Sequence, residues 1–164
     1  IGFQICESLG CLPLSKYRED THFLTLTAKE RIGLRKLGVH IGLLSIYCSP
    51  MIKFPQSEFA RLLWSVNKGV VLPKRVYKPA AVGFSRDERV PMDAYNAMGF
   101  VVLGRWVLRA DMAERLVSTL DRTAQSKSFV LESHLFSLAG CDKKKFRIIL
   151  RKFCRSISLI FFII

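Results

Sequence analysis

The sequence has few of the residues that build metal centres or disulfide frameworks. Its five cysteines, Cys6, Cys11, Cys48, Cys141 and Cys154, are an odd number, and no pair has C-x-x-C spacing. That argues against a disulfide scaffold and against a structural zinc site. A reduced, cytoplasmic compartment fits such thiols best. The three histidines, His22, His40 and His134, lie far apart and read as structural or exposed side chains. Long apolar runs are also missing. The longest, "ISLIFFII", has eight residues, against the roughly 20 that a membrane-crossing helix needs. "IGFQICESLG" has no charged n-region, so it does not read as a signal peptide.

Acids are scarce as well. There are 13 against 26 basic residues, a formal net charge of +13. Such an excess favours polyanions, meaning nucleic acid or an anionic membrane surface. Nucleic acid is the expected partner of the two, and no membrane partner is expected. Catalytic signatures are absent. "GLRKLGV" has Gly33 and Gly38 at phosphate-loop spacing, but Val39 and His40 stand where Lys and Ser/Thr are required. "DERV" pairs Asp87 with Glu88, as a helicase acidic box does, yet sits in a proline-bounded stretch rather than after an apolar strand. The chain alone is expected to catalyse nothing and to hold no cofactor or metal.

What is present is enough to fold. Half of the 164 residues are hydrophobic, so a real core can form. Thr27 and Glu30 have capping-box spacing, and Gly38 suits the end of the helix they start. Ile32, Leu34 and Leu37 are its expected apolar contacts. In "VHIGLLSIY", Val39, Ile41 and Leu43 alternate, which predicts one buried strand. "PQSEFARLLWSVNKG" predicts a helix whose buried face is Phe59, Leu62, Leu63 and Val66, at i, i+3, i+4 and i+7.

Val70 to Pro91, with three prolines and mixed charge, predicts an irregular connection. "MDAYNAMG" predicts a short helix closed by Gly99. "FVVLGRWVLR" predicts a hairpin turning at Gly104-Arg105, for which a Gly-X pair suits a type II′ turn. Asp111 then caps a helix, with Glu114 three residues on and Met112, Leu116 and Leu120 on one face. "FVL" (129–131) predicts a brief strand, "SHLFSLAG" a short helix, and Asp142 the start of a last helix, "KKKFRIILRKF".

That last helix carries the sharpest functional signal. Phe146, Ile149, Leu150 and Phe153 share an apolar face. Lys143, Lys144, Lys145, Arg147, Arg151 and Lys152 surround it with positive charge. Lysines in a first turn oppose the helix dipole, and Asp142 only partly offsets them. A phosphate there would be met by backbone N–H groups and ammonium groups together. With the preceding short helix, the segment reads as a helix–turn–helix unit, one way to present a basic helix to nucleic acid; a solvated basic face on an ordinary packed helix is the other reading. Arg105 and Arg109 could flank a backbone groove or be ordinary surface charge. Trp64 and Trp106 read as core rather than as base-stacking platforms.

Several phrases together resemble a known family: "LRKLGVHIG" (34–42), "SPMIK" (49–53), "AYNAMGFVVLGRWVLRADMAERL" (94–116) and "FSLAGCDKKKFRIILRKF" (136–153). They resemble the C-terminal accessory region of alphaproteobacterial superfamily II helicases, similar to the RNA helicase of the mitochondrial degradosome. The matching positions are mostly structural: Gly38, Gly42, Gly99, Phe100, Gly104, Asp111, Gly140 and Cys141. The resemblance implies a parent with two RecA-like motor domains that bind ATP and Mg²⁺. This region would scaffold the motor and contact RNA or DNA. No catalytic residue carries over, because the ATPase motifs are absent from these residues.

The expected fold is α+β, mainly helical, with a short β-hairpin, a small mixed sheet and a basic helix-turn-helix-like C-terminal unit. The expected organisation is a helical segment with one strand (1–70), an irregular linker or surface loop (71–91), a hairpin–helix plus basic helical unit (92–153), and an apolar tail (154–164). The tail reads as a truncated, non-native end, with a buried final strand as the other possibility. Two alternatives to the helicase reading remain at this stage. One is a stand-alone basic adaptor on RNA, ribosome or nucleoid. The other is a decayed remnant with no working role.

Overall fold

The structure is a computed structural model that describes residues 2–14, 26–125, 133–147 and 149–150. The expected strand 129–131, Phe153 and the 154–164 tail lie outside the described residues. The chain is α+β. It begins with α1 (Gly2–Glu7), β1 (Cys11–Pro13), α2 (Ala28–Lys36), β2 (Val39–Ile41), β3 (Ser45–Cys48) and α3 (Gln56–Lys68). It continues with β4 (Gly83–Ser85), α4 (Met92–Ala97), β5 (Phe100–Leu103), β6 (Trp106–Arg109), α5 (Ala110–Gln125) and α6 (Ser133–Ala139). A further helical stretch covers 143–147. Among the described residues, no helix is long and apolar enough to cross a membrane.

The strands form two antiparallel sheets, ordered β1-β3-β2 and β4-β6-β5, in place of one small mixed sheet. The first sheet corrects the reading of "VHIGLLSIY" as one strand. The segment is a hairpin: Val39 faces Cys48 and Ile41 faces Ile46 across β2 and β3, and Leu43 is exposed in the turn. Alternation continues through a turn that no glycine–asparagine signal marks, so periodicity alone could not cut the segment in two.

The second sheet contains the expected β5–β6 hairpin, with Val102 opposite Val107. Gly104 has φ +68° while Arg105 keeps a negative φ, as a type II′ turn requires. The 71–91 stretch is not irregular throughout. It supplies β4, which pairs with β6 from Gly83–Leu108 to Ser85–Trp106, and it buries Leu72 and Val90. Proline-rich flanks hid a three-residue edge strand.

Helix α2 has the expected capping box: the Glu30 N–H donates to Thr27 Oγ1 at 3.3 Å, and the Thr27 N–H to Glu30 Oε2 at 2.8 Å. None of its residues is buried, however, and Ile32 and Leu37 are exposed. Only Leu34 packs, against Ile5, Leu12, Val39 and Ile46.

Helix α3 is turned the other way from its hydrophobic pattern. Phe59, Leu62, Leu63 and Val66 are 62%, 48%, 41% and 82% exposed. Its buried residues are Ser57, Ala60, Arg61 and Trp64. Small side chains let α3 approach its neighbour α4 closely, and Trp64 fills the gap beside Leu72, Val90, Tyr95 and Phe100. Arg61 is tolerated there because its Nε donates to Glu58 Oε1 at 2.6 Å.

The largest core joins Trp106 and Leu108 of β6 to Ala113, Leu116, Val117 and Leu120 of α5. Leu135 and Ala139 of α6, then Phe146 and Ile149, close it. Trp106 donates its indole N–H to the Ala139 carbonyl at 3.0 Å, so this ring is core, as is Trp64. A Cβ on Gly83 would lie 2.7 Å from Trp106 Nε1 and 2.8 Å from Ala139 O. Gly83→Ala is therefore expected to push β4 off α6 and to cost about 2 kcal/mol. A urea midpoint equal to that of the wild type would show that the close approach is not needed.

The segments on either side of the 71–91 stretch pack together. Cys11, Tyr47 and Ile52 share a cluster with Ala110. The strongest tie is Glu114. The expected N-cap at Asp111 is corrected: α5 begins at Ala110, so Asp111 lies inside its first turn, where it accepts the adjacent Met112 N–H at 2.9 Å. Glu114 instead reaches out of α5 to the β2–β3 turn. It accepts N–H bonds from Leu43 (2.7 Å), Leu44 (2.9 Å) and Ser45 (2.7 Å), and the Ser45 hydroxyl at 3.0 Å.

Candidate nucleic-acid interface

The last helix forms as its cap dictates. Asp142 Oδ1 accepts the Lys145 N–H at 2.8 Å, and the Phe146 N–H bonds the Asp142 carbonyl at 2.9 Å. The Lys145 N–H, as the largest cause, holds the Asp142 carboxyl below its ordinary value. Gly140, with φ +60°, makes the turn from α6. Phe136 and Phe146 meet edge to face at 5.1 Å and lock the two helices together. Burial of Phe146 and Ile149 orients the helix, leaving Lys143, Lys144, Lys145 and Arg147 exposed. The helix–turn–helix reading of 133–147 therefore holds in outline. Arg151 and Lys152 lie outside the described residues.

The structure brings this helix to the β5–β6 hairpin. Lys145 Nζ sits 5.5 Å from the centre of the Trp106 ring, and 3.5 Å from Asp142 Oδ2. Lys145 is thus held in place by the ring and by its own cap. Arg105, next to Trp106 in the turn, is exposed. Arg109 differs. Its guanidinium makes a two-pronged contact with Asp111, Nε to Oδ1 at 2.7 Å and Nη2 to Oδ2 at 2.9 Å. Its side chain is only 18% exposed, so its charge is largely spent within the fold.

Three further arginines were not assigned a role from sequence. The Arg86 N–H donates to the Arg105 carbonyl at 2.8 Å, which places Arg86 beside the hairpin turn. Its Nε is buried without a hydrogen-bond partner. Arg86 lay in the mixed-charge "SRDERV" stretch, and only the β4–β6 register reveals its neighbour. Arg115 and Arg122, one helical face of α5, line a groove of about 590 Å³ with Ser118, His134 and Ser137. Their i, i+7 spacing is legible in the sequence, but α6 forms the other wall, and no local pattern announces that.

The neighbouring acid is already engaged. Asp87 pairs with Arg89, Oδ2 to Nη2 at 2.7 Å. The Arg89 side chain, donating to it, lowers the Asp87 carboxyl to about 2. Cys141, at the α6 turn, has its thiol pushed up to about 11 by burial. Among the described residues no group of three His, Cys, Asp or Glu side chains is placed to hold a metal. No family model, no curated protein and no solved structure matches the chain.

Proposed function

We propose that the chain is a nucleic-acid-binding module that grips the phosphates of a single strand. The basic start of the last helix and the Arg105 turn form the grip. One observation carries this reading. Phe146 and Ile149 are buried, which aims Lys143, Lys144 and Arg147 outward, while Lys145 on Trp106 ties that helix to the hairpin. Cations from distant parts of the chain thereby share one surface, on a protein of net charge +13. Phosphate contacts of this kind position a strand and are indifferent to its sequence.

The module is read as the C-terminal accessory region of a cytoplasmic, ATP-dependent superfamily II helicase. ATP and Mg²⁺ belong to the RecA-like motor domains, and this region scaffolds them. It contributes binding and no chemistry of its own. The sequence resemblance supports that assignment.

The test is the salt dependence of binding to a single-stranded RNA or DNA oligonucleotide. Contacts from Lys143, Lys144, Arg147 and Arg105 give a log–log slope of about −3. A slope near zero overturns the proposal.

A further inference from the structure

Two arginines stand opposite each other where the second sheet runs out. The β4–β6 ladder ends at Ser85–Trp106, and one step further the Arg86 N–H donates to the Arg105 carbonyl at 2.8 Å. Like charges directly opposite one another destabilise a strand pair. The adjacent acid does not relieve this one. Asp87 is held by Arg89, Oδ2 to Nη2 at 2.7 Å. Among the described residues, no acid pairs with Arg86 or Arg105.

Arg86 is also left unsatisfied. Its Nε is buried without a hydrogen bond to any described residue. The Tyr95 hydroxyl is committed to the Asp87 backbone, accepting its N–H at 2.9 Å and donating to its carbonyl at 3.2 Å. A charged donor held away from water with no acceptor is costly, and a native fold keeps one where an ion or a function needs it. Arg105, in the turn, is exposed.

We infer that Arg86 and Arg105 together clamp one phosphate group. The inference rests on the proposed reading of Arg105 as a phosphate contact and adds Arg86 as the other half of that contact. Phosphate suits the pair better than a carboxylate does. A carboxylate has two oxygens in one plane, which a single guanidinium fork satisfies. A tetrahedral phosphate offers oxygens in more than one direction, so two guanidiniums from facing backbone positions can share it. Its negative charge relieves the cross-strand repulsion. An oxygen drawn to the Arg86 fork gives Nε an acceptor as the side chain swings toward it.

Thermal melting of the whole chain tests the clamp, at constant ionic strength, with chloride, acetate or inorganic phosphate as the anion. Phosphate at about 20 mM is expected to raise the wild-type melting temperature by about 3 °C over chloride, and acetate by less than about 1 °C. Arg86→Gln and Arg105→Gln are each expected to lose the phosphate shift. Both should melt in chloride no lower than the wild type, since each removes one of two like charges. No phosphate shift in the wild type, a shift that either variant retains, or an equal shift from acetate overturns the inference.

A single-stranded oligonucleotide without terminal phosphates identifies the source of the phosphate. If the strand supplies it, Arg86→Gln weakens binding about fivefold and leaves the salt slope unchanged, because Arg105 still neutralises the same phosphate. If affinity is unchanged while the phosphate shift is lost, the clamp takes free phosphate or a phosphate monoester. A wild-type salt slope near zero, with the phosphate shift lost in both variants, keeps the clamp and removes the nucleic-acid reading.

Discussion

Replacing Glu114 with alanine is expected to lower stability by about 3 kcal/mol, or roughly 10 °C in melting temperature for a chain of this size. The carboxylate holds three consecutive N–H groups, of Leu43, Leu44 and Ser45, and the buried Ser45 hydroxyl. Those donors point inward toward α5, and alanine leaves them without an acceptor. Some of the loss is relieved by water, because Leu43 is exposed, whereas Ser45 is fully buried. Gly42 sharpens the case. A Cβ there would collide with the Glu114 carboxyl group, so Gly42→Ala is expected to act through the same contact.

If the two substitutions are coupled, their double variant will cost less than the sum of the singles. Additive costs would mean that Glu114 and the turn act independently. Burial, the larger effect, raises the Glu114 carboxyl above its ordinary value of 4.5, against the pull of its four donors. The folded state therefore binds this proton more tightly than the unfolded state. Its contribution to stability is complete below 4.5 and is lost as pH rises through the raised folded value. Glu114→Gln removes that slope. It also sets an amide N–H against one of the donor groups, so it is expected to destabilise by about 2 kcal/mol, less than alanine does.

Charge reversal at Lys143, Lys144 and Arg147, each to Glu, is expected to weaken single-stranded oligonucleotide binding about 100-fold and to reduce the salt slope by about 2. Fold stability should hold, because all three side chains are exposed and the helix keeps its Asp142 cap. Glutamates in the first turn also suit the helix dipole better than lysines do. The matched control is Arg109→Gln. That guanidinium is committed to Asp111, so its loss should affect stability more than affinity. Unchanged affinity in the triple variant would remove the basic helix from the interface. Equal loss from Arg109→Gln would point instead to diffuse charge rather than a defined surface.

Local rules in the sequence were read well where the chain makes its own contacts. The Thr27–Glu30 cap, the Gly104 turn, the Gly99 stop and the Asp142 cap all depend on residues within a few positions of one another. The amphipathic last helix was also legible, because Phe146 and Ile149 share an apolar face and are buried in the core. Elsewhere the same pattern rule failed. The apolar face of α3 points outward, and Ser57, Ala60, Arg61 and Trp64 turn toward the protein instead. β4 escaped notice because its apolar content is one phenylalanine between glycine and serine. The basic side chains Arg105, Lys143, Lys144 and Arg147 are legible in the sequence, whereas the neighbours of Arg86, Arg115 and Arg122 needed the sheet register and the position of α6.

Composition and spacing determined the α+β class, the excess of positive charge, the Thr27 and Asp142 caps and the Gly104 turn, because those follow from short-range sterics and hydrogen bonding. Tertiary structure alone decided which face of α3 meets solvent, that Glu114 leaves its own helix to hold a turn some seventy residues away, and that the last helix meets the β5–β6 hairpin at Trp106. Those outcomes depend on what packs against each element, and a periodic pattern identifies a face without naming its neighbour.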